Sequence, residues 1–300
     1  MFDECRLCPR KCGVNRNKKE VGVCGAPSSM VIARYSLHMW EEPCISGSNG
    51  SGTIFFSGCN LKCIFCQNYM ISSKVRGTVV DIEQFSDICL KLQNNGANNI
   101  NLVTGVMYIP KIIEGVLLAQ ERGLSIPIIY NSSGYEKCSS IKLLDGIVDV
   151  YLPDFKYWSD DLALKYSKCC DYRENVIKAI DEMYNQVGKV VFDDEGNIVK
   201  GVIVRHLVLP GCLDDSKKVL NYLYNKYGNN IYISIMNQYT PVRRVNIDSL
   251  DRTLQKREYD EIINYAYDLG IRNAYVQEDE TQKESFIPDF FVFDGLDNDN

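Results

Sequence analysis

From residue 53 onward, apolar and polar positions along the chain alternate between two rhythms. Short runs rich in β-branched and aromatic residues, bounded by turn formers, predict strands at 53–57 (TIFFS), 99–104 (NINLVT), 126–133 (IPIIYNSS), 148–154 (VDVYLPD), 201–209 (GVIVRHLVL) and 231–238 (IYISIMNQ). Between them, apolar residues recur at helical spacing. Ile82, Phe85, Ile88, Cys89 and Leu92 mark one face of a helix over 81–95, while Pro110 opens a second over 110–122 and Gly123 follows its end. Further helices are expected at 136–144, across 159–186 in two pieces broken near Asp171, at 214–227 and at 256–269. Six strands alternating with helices predict an α/β fold, a parallel sheet with helical crossovers. Ahead of it, 30–40 (MVIARYSLHMW) reads as a strand or a brief cover. Residues 46–52 (SGSNGSG) read as a Gly/Ser linker, without the GK[ST] ending of a phosphate-binding loop. The chain is thus expected to divide into a Cys-rich segment and linker (1–50), a core (51–277) and an acidic tail (278–300). Phe286, Phe290, Phe291 and Phe293 of the tail are expected to dock on the core.

An apolar content of 45% is enough for a sizeable core. The net charge of −6 argues against nucleic-acid binding, although the first twenty residues are locally basic. No apolar run approaches the ~20 residues that span a bilayer, and the opening MFDECRLCPRKC has no apolar signal stretch. Thirteen cysteines in such a chain predict a reducing, cytoplasmic setting and metal chemistry. Only two histidines, His38 and His206, are present, which leaves little room for a His-rich metal site.

Cys59, Cys63 and Cys66 stand in a CxxxCxxC spacing within GCNLKCIFCQN, directly after the first predicted strand of the core. Three thiolates on a short loop suit three irons of a [4Fe–4S] cube and leave the fourth iron open for chemistry. The alternatives are a zinc site borrowing a fourth ligand or three unrelated buried cysteines, and the preceding strand and the lack of a nearby fourth ligand argue against both. Cys5, Cys8, Cys12 and Cys24 form a second set, with Pro9, Gly13, Gly22 and Gly25 supplying turns. Four thiolates suit a closed structural site, either zinc or a second iron–sulfur cluster. Cys44, Cys89, Cys138, Cys169 and Cys170 lack ligand spacing and read as small buried residues. Cys212, after Pro210-Gly211, is placed to give up a hydrogen atom but reads as an ordinary loop cysteine.

In parallel α/β barrels, chemistry gathers at the C-terminal strand ends. Side-chain alternation puts Asp154 and Lys156 on one face, Asn131 and Ser133 on one face, and Ser234, Met236 and Gln238 on one face. Arg205 shares its face with Leu207 and Leu209, and a charge inside a strand must be paired or must face a polar cavity. His206 then points the other way, as a core histidine, and His38 in its apolar run reads as structural.

These residues resemble the radical S-adenosylmethionine (SAM) proteins, whose signature is CxxxCxΦC with an aromatic Φ, here Phe65. The resemblance implies a partial (β/α)₆ barrel and a [4Fe–4S] cluster whose open iron chelates the amino and carboxylate groups of SAM, with Phe65 packed near the adenine. Asp154 and Lys156 are similar to an Asp-x-Lys that touches SAM in pyruvate formate-lyase activating enzymes. Asn131 and Ser133 would then hydrogen-bond the SAM amino acid or ribose, with a turn cap before Gly134 as the alternative. Arg205 would meet the SAM carboxylate or the cluster surroundings, and Gln238 would meet SAM or substrate. The runs CRLCPRKCGVNR, EEPCISGSNGSGTIFFSGCNLKCIFCQN, IYNSSGYE, VDVYLPDFKY, VRHLVLPG and ISIMNQY are similar to the PflX-type branch, relatives of that activating enzyme. Where the branch has Thr-Pro-Thr-His after the second strand, this chain has Thr104-Gly105-Val106-Met107. The Gly-Gly-Glu of many activating enzymes is absent there too. The resemblance implies reductive cleavage of SAM and hydrogen abstraction from a substrate. A glycyl-radical enzyme is one such substrate, with a flavodoxin or ferredoxin-type protein as reductant. Radical chemistry on a small molecule, peptide or RNA is one alternative. A non-catalytic metal-binding or electron-transfer role is another, and it leaves Asp154, Lys156 and the polar strand ends unexplained.

Overall fold

The computed structural model describes residues 1–241 and 244–277. The acidic tail and the expected docking of its phenylalanines lie outside the described residues. In chain order the strands are β1 (Met30–His38), β2 (Ser51–Phe56), β3 (Thr78–Val80), β4 (Ile100–Val103), β5 (Ile128–Ser132), β6 (Val150–Pro153), β7 (Val191–Phe192), β8 (Ile198–Leu207), β9 (Tyr232–Met236) and β10 (Ala274–Val276). The helices are α1 (Pro43–Ser46), α2 (Tyr69–Ser72), α3 (Ile82–Asn94), α4 (Ile109–Glu121), α5 (Cys138–Ile141), α6 (Asp160–Ser167), α7 (Tyr172–Val187), α8 (Leu213–Tyr227) and α9 (Lys256–Leu269).

The sheet order is β10-β9-β8-β6-β5-β4-β2-β1-β3, with β7 pairing β8 alongside. The six strands expected from the sequence are β2, β4, β5, β6, β8 and β9, and every neighbouring pair among them is parallel. β10 adds a parallel strand at one edge, while β1 and β3 add antiparallel strands at the other. Residues of β2, β4, β5, β8, β9 and β10, with Asp154 just past the end of β6, line one cavity, so the sheet curls into a partial barrel around it.

Local chemistry explains the element ends. Asp81 accepts from Gln84 N–H at 2.8 Å and Gln84 Oε1 accepts from Asp81 N–H at 3.0 Å, a reciprocal cap that opens α3. Phe85 and Leu92 of α3 are buried, and full burial of such a side chain stabilises the fold by about 1.5–3 kcal/mol. Gly115 lets α4 close on α3, because a Cβ there would collide with the Phe85 ring. The break in 159–186 falls at Lys168, in the left-handed region at φ 56°, and at Asp171, which precedes α7.

Several expectations need correction. Residues 46–52 are not a linker throughout: Ser46 closes α1, and β2 already begins at Ser51. Ser51 Oγ is 2.6 Å from Asn99 Oδ1, which satisfies a hydroxyl inside the sheet. Gly52 provides room, since a Cβ would meet Asn99 O at 2.8 Å and Ala97 Cβ at 3.0 Å. The helix at 136–144 reduces to α5 and a 3₁₀ turn at Lys142–Leu144. β3, β7 and β10 were not expected, because two or three residues are too short to display a period. Cys44, Cys89 and Cys169 are buried, but Cys138, the first residue of α5, is half-buried, and Cys170, in the connection between α6 and α7, is exposed.

Candidate active site

The loop after β2 is fixed from several sides. Gly58 adopts φ +94°, and a Cβ there would meet Cys24 O at 2.9 Å, so glycine turns the chain. Gly58 N–H donates to Ile71 O at 2.8 Å, while Lys62 and Ile64 N–H donate to Ser167 O (3.1 Å) and Tyr166 O (2.8 Å) at the end of α6. Buried Asn60 donates from Nδ2 to Tyr135 O at 2.6 Å.

Held in this way, Cys59, Cys63 and Cys66 line a cavity of about 520 Å³ as free thiols. Leu61 N–H lies 3.4 Å from Cys59 Sγ, Ser167 Oγ 2.9 Å from Cys63 Sγ and Ser72 Oγ 3.3 Å from Cys66 Sγ. Burial pushes the Cys63 thiol up to about 11, with the Lys156 ammonium pulling it back. Burial also raises Cys59, and the neighbouring Cys63 and Cys66 add to the rise. Mutually repelling buried thiolates are what a cationic iron core would neutralise, so the donor set fits an iron–sulfur cluster. Among the described residues, no group of three or more His, Cys, Asp or Glu side chains converges to hold one metal ion. A cube asks for less convergence, because each sulfur takes its own iron.

Phe65, Asn131, Ser133, Asp154, Lys156, Arg205 and Gln238 line the same cavity. Phe65 is buried, edge-on to Tyr239 with centroids 5.9 Å apart. Lys156 Nζ is 2.6 Å from Asp154 Oδ2, and both side chains are largely buried. Burial alone would lower the Lys156 ammonium, but Asp154 and then Cys63 outweigh it and hold the charge firmly. Fully buried Tyr172 ties the ends of β5 and β6 together: its hydroxyl donates towards Ser133 O (2.9 Å) and Asp154 O (3.0 Å) and accepts from Lys156 N–H (2.9 Å). Ser133 Oγ lies 3.4 Å from Asn60 Oδ1 on the cysteine loop. Asn131 O accepts from Thr104 N–H at 2.8 Å. Thr104 also lines the cavity, at φ +60°, where a β-branched residue stores about 1–3 kcal/mol of strain.

Arg205 faces the cavity, but its guanidinium is already engaged. Its Nε and Nη2 donate to the two oxygens of Glu42 at 2.8 and 2.6 Å, and Nη2 also meets Glu41. Glu41 Oε1 in turn accepts from Asn101 Nδ2 at 2.9 Å. Burial would raise Glu42, yet Arg205 overrides it and keeps the carboxylate ionised. The connection between β1 and β2 therefore crosses beneath the barrel and forms a charged floor. Gln238 is positioned by Gln277, whose Oε1 accepts from Asn237 N–H (2.8 Å) and Gln238 N–H (3.2 Å). Gln67 of the cysteine loop donates to Gln238 O at 3.0 Å. His206 is buried, outside the cavity lining, with Nδ1 2.7 Å from Phe155 O. His38 does line the cavity, edge-on to Phe55. Glu41, Glu42, Tyr172 and Gln277 were missed by sequence reasoning. The adjacent carboxylates of Glu41-Glu42 were the one available signal.

The amino-terminal cysteines form a neighbourhood. Burial pushes the Cys8 thiol up to about 12, with Glu136, Cys24 and Cys12 adding to it, and burial also raises Cys24. Val23 N–H lies 3.4 Å from Cys12 Sγ, and the Arg16 guanidinium lies 3.8 Å from Cys5 Sγ. The segment is pinned to the barrel rather than set apart from it. Arg16, 2% exposed, donates to Ala26 O (3.0 Å), Met107 O (2.6 Å) and Pro27 O. Arg10 donates to Asn60 O (2.9 Å), Lys168 O (2.5 Å) and Ser167 O (3.4 Å), joining the segment to the loop of Cys59, Cys63 and Cys66.

Residues 53–256 match the family model of the radical SAM superfamily, and the chain belongs to that superfamily. Its cofactors are accordingly a [4Fe–4S] cluster and S-adenosylmethionine, and the thiols and the cavity they line fit both. An uncharacterized protein of Methanocaldococcus jannaschii is 30% identical over 276 residues, covering 86% of this chain and 75% of that protein. Among solved structures, the [FeFe]-hydrogenase maturase HydG aligns with a TM-score of 0.52 at 14% identity, over 76% of this chain and 52% of HydG. SAM-bound SuiB of Streptococcus suis aligns with a TM-score of 0.49 at 12% identity, over 74% of this chain and 49% of SuiB. The chain thus spans about half the length of these two structures, and the HydG likeness is one of fold. Among the described residues, no helix is long and apolar enough to cross a membrane.

Proposed function

We propose that this radical SAM enzyme is activase-like, a PflX-type relative of pyruvate formate-lyase activating enzyme. In this reading it abstracts hydrogen from the glycine Cα of a partner glycyl-radical enzyme. It works in the cytoplasm and takes its electron from a flavodoxin or ferredoxin-type protein. The observation that carries the reading is the Asp154–Lys156 pair, which opens on the same cavity as Cys59, Cys63 and Cys66. When bound, the cluster and SAM supply a 5′-deoxyadenosyl radical by one-electron cleavage of a carbon–sulfur bond.

The chain's own residues bind and orient. Lys156 offers its ammonium to the SAM carboxylate, and Asp154 accepts from the SAM ammonium or a ribose hydroxyl. Asn131 and Ser133 supply neutral hydrogen bonds, and Phe65 offers an apolar wall to the adenine. Arg205 is shared by two carboxylates, Glu41 and Glu42, whereas Lys156 is paired with one, Asp154, which favours Lys156 as the cation for the SAM carboxylate. The amino-terminal cysteines are neighbours but do not converge on one point in this structure, so in this reading they close on a second metal, zinc or iron–sulfur, only when it binds, and the metal then stiffens the segment behind the loop.

The test is anaerobic. Reconstituted, reduced protein mixed with SAM is expected to release methionine and 5′-deoxyadenosine, and to place a glycyl radical on a captured partner, visible by electron paramagnetic resonance. Single Cys59→Ala, Cys63→Ala or Cys66→Ala variants are expected to lose cleavage. Full cleavage in any of them sinks the cluster assignment. Cleavage without a glycyl radical on any partner moves the substrate to a small molecule, peptide or RNA.

A further inference from the structure

Behind Cys63 stands a line of two buried hydroxyl groups. Ser167, the last residue of α6, is fully buried with Oγ 2.9 Å from Cys63 Sγ and 2.7 Å from Tyr157 Oη. Tyr157 is 1% exposed. The proton positions in this line follow from chemistry. A sulfur bound to iron is a thiolate and can only accept, so the Ser167 hydroxyl must donate to it. The Ser167 oxygen then accepts from Tyr157, whose hydroxyl stays protonated because burial raises it well above its ordinary range.

The backbone holds this line in register. Ser167 O accepts from Lys62 N–H at 3.1 Å and from Arg10 Nη2 at 3.4 Å, so the residue is clamped to the cysteine loop at its main chain as well. The other two sulfurs are served differently. Cys59 receives a backbone N–H from Leu61, and Cys66 meets a single hydroxyl, Ser72, in the one-turn helix α2.

We propose that Tyr157 and Ser167 form a fixed donor relay onto the Cys63 sulfur, and that this relay sets the reduction potential of the cluster. The inference rests on the cluster assigned to Cys59, Cys63 and Cys66. A hydrogen bond donated to a ligand sulfur withdraws charge, which favours the reduced, more negative cluster and raises its potential. A donor that is itself polarised by a second hydroxyl gives more than one that stands alone. Such tuning matters because the one-electron cleavage of SAM depends on a cluster that the cell's reductants can reach.

The experiment is a redox titration of the reconstituted protein, following the reduced cluster by electron paramagnetic resonance. Ser167→Ala is expected to move the midpoint to lower potential. Tyr157→Phe removes one oxygen and keeps the ring's edge-on contact with Tyr172, 5.5 Å between centroids. It is expected to move the midpoint in the same direction by less, with the end of α6 untouched. Electron–nuclear double resonance in deuterated buffer is expected to show an exchangeable proton coupling in the parent protein that Ser167→Ala loses. A parent cluster whose midpoint and proton couplings are the same in both variants overturns this inference alone. A larger shift in Tyr157→Phe than in Ser167→Ala overturns the order of the relay. A parent protein with no reducible cluster overturns the inference and the cluster assignment together.

Discussion

Arg205 and Glu42 form a forked ion pair inside the barrel, with Nε and Nη2 2.8 and 2.6 Å from the two carboxylate oxygens. The two residues lie 163 positions apart, so the pair ties β8 to the connection between β1 and β2. Removing the cation would strand two buried carboxylates. Arg205→Met is therefore expected to destabilise the fold by about 3–5 kcal/mol. Urea unfolding measures this, and combining Arg205→Met with Glu41→Gln and Glu42→Gln should recover part of the loss. A midpoint unchanged in Arg205→Met would mean that the pair does not hold the floor.

Lys156 is the cation favoured to meet SAM. Lys156→Ala is expected to weaken SAM binding by about 1.5–3 kcal/mol, roughly a tenfold to hundredfold rise in Kd. His206→Ala, from the opposite face of its strand, should leave Kd nearly unchanged. Calorimetric titration of SAM into both variants, each with its cluster intact, decides the matter. Equal affinities in the two would misplace the SAM carboxylate.

The two histidines predict an acid-sensitive fold. Burial is the largest cause lowering both His38 and His206 below their ordinary value, so the fold holds them neutral. Stability is then fully present above about pH 6.5. As pH falls below that value, the unfolded chain takes up protons that the fold refuses. For the fully buried His206 the slope reaches about 1.4 kcal/mol per pH unit. Unfolding free energies at pH 7.5 and 5.5 should differ in the parent protein and differ less in His206→Gln. Equal pH dependence in both would show that His206 does not carry the effect.

The amino-terminal set is tested by removing the other one. A triple Cys59→Ala, Cys63→Ala, Cys66→Ala protein should retain a metal that elemental analysis identifies as zinc or iron, and adding Cys8→Ala should release it. A metal-free triple variant with unchanged circular dichroism would reduce these cysteines to plain thiols.

The reach of the sequence reading follows from the range of each interaction. Asp154 and Lys156, Asn131 and Ser133, and the alternation of Arg205 with His206 follow from a period of two, which is local information. The partners of Arg205 are not local. Glu41 and Glu42 sit on a segment without periodicity, and only the folded topology brings them beneath β8. Gln277 escaped notice for a related reason, since it follows the three-residue strand β10, which shows no pattern. Gly52 was misleading because one residue type serves both as a turn former and as a space-maker, and a single sequence does not separate the two uses.

The bond from Arg10 to Lys168 O also bears on the order in which the protein is made. The arginine is synthesised 158 residues before its acceptor. At ribosomal rates of about 5–20 residues per second, that interval lasts roughly 8–32 s. From the synthesis of Cys66 until Ser167 is made, roughly 5–20 s at the same rates, the loop of Cys59, Cys63 and Cys66 lacks the end of α6, which receives the N–H groups of Lys62 and Ile64. A nascent chain in that window presents three thiols without a fixed arrangement, open to oxidation or to stray metal. Iron–sulfur delivery therefore meets a finished receptor only after more than half of the polypeptide has emerged.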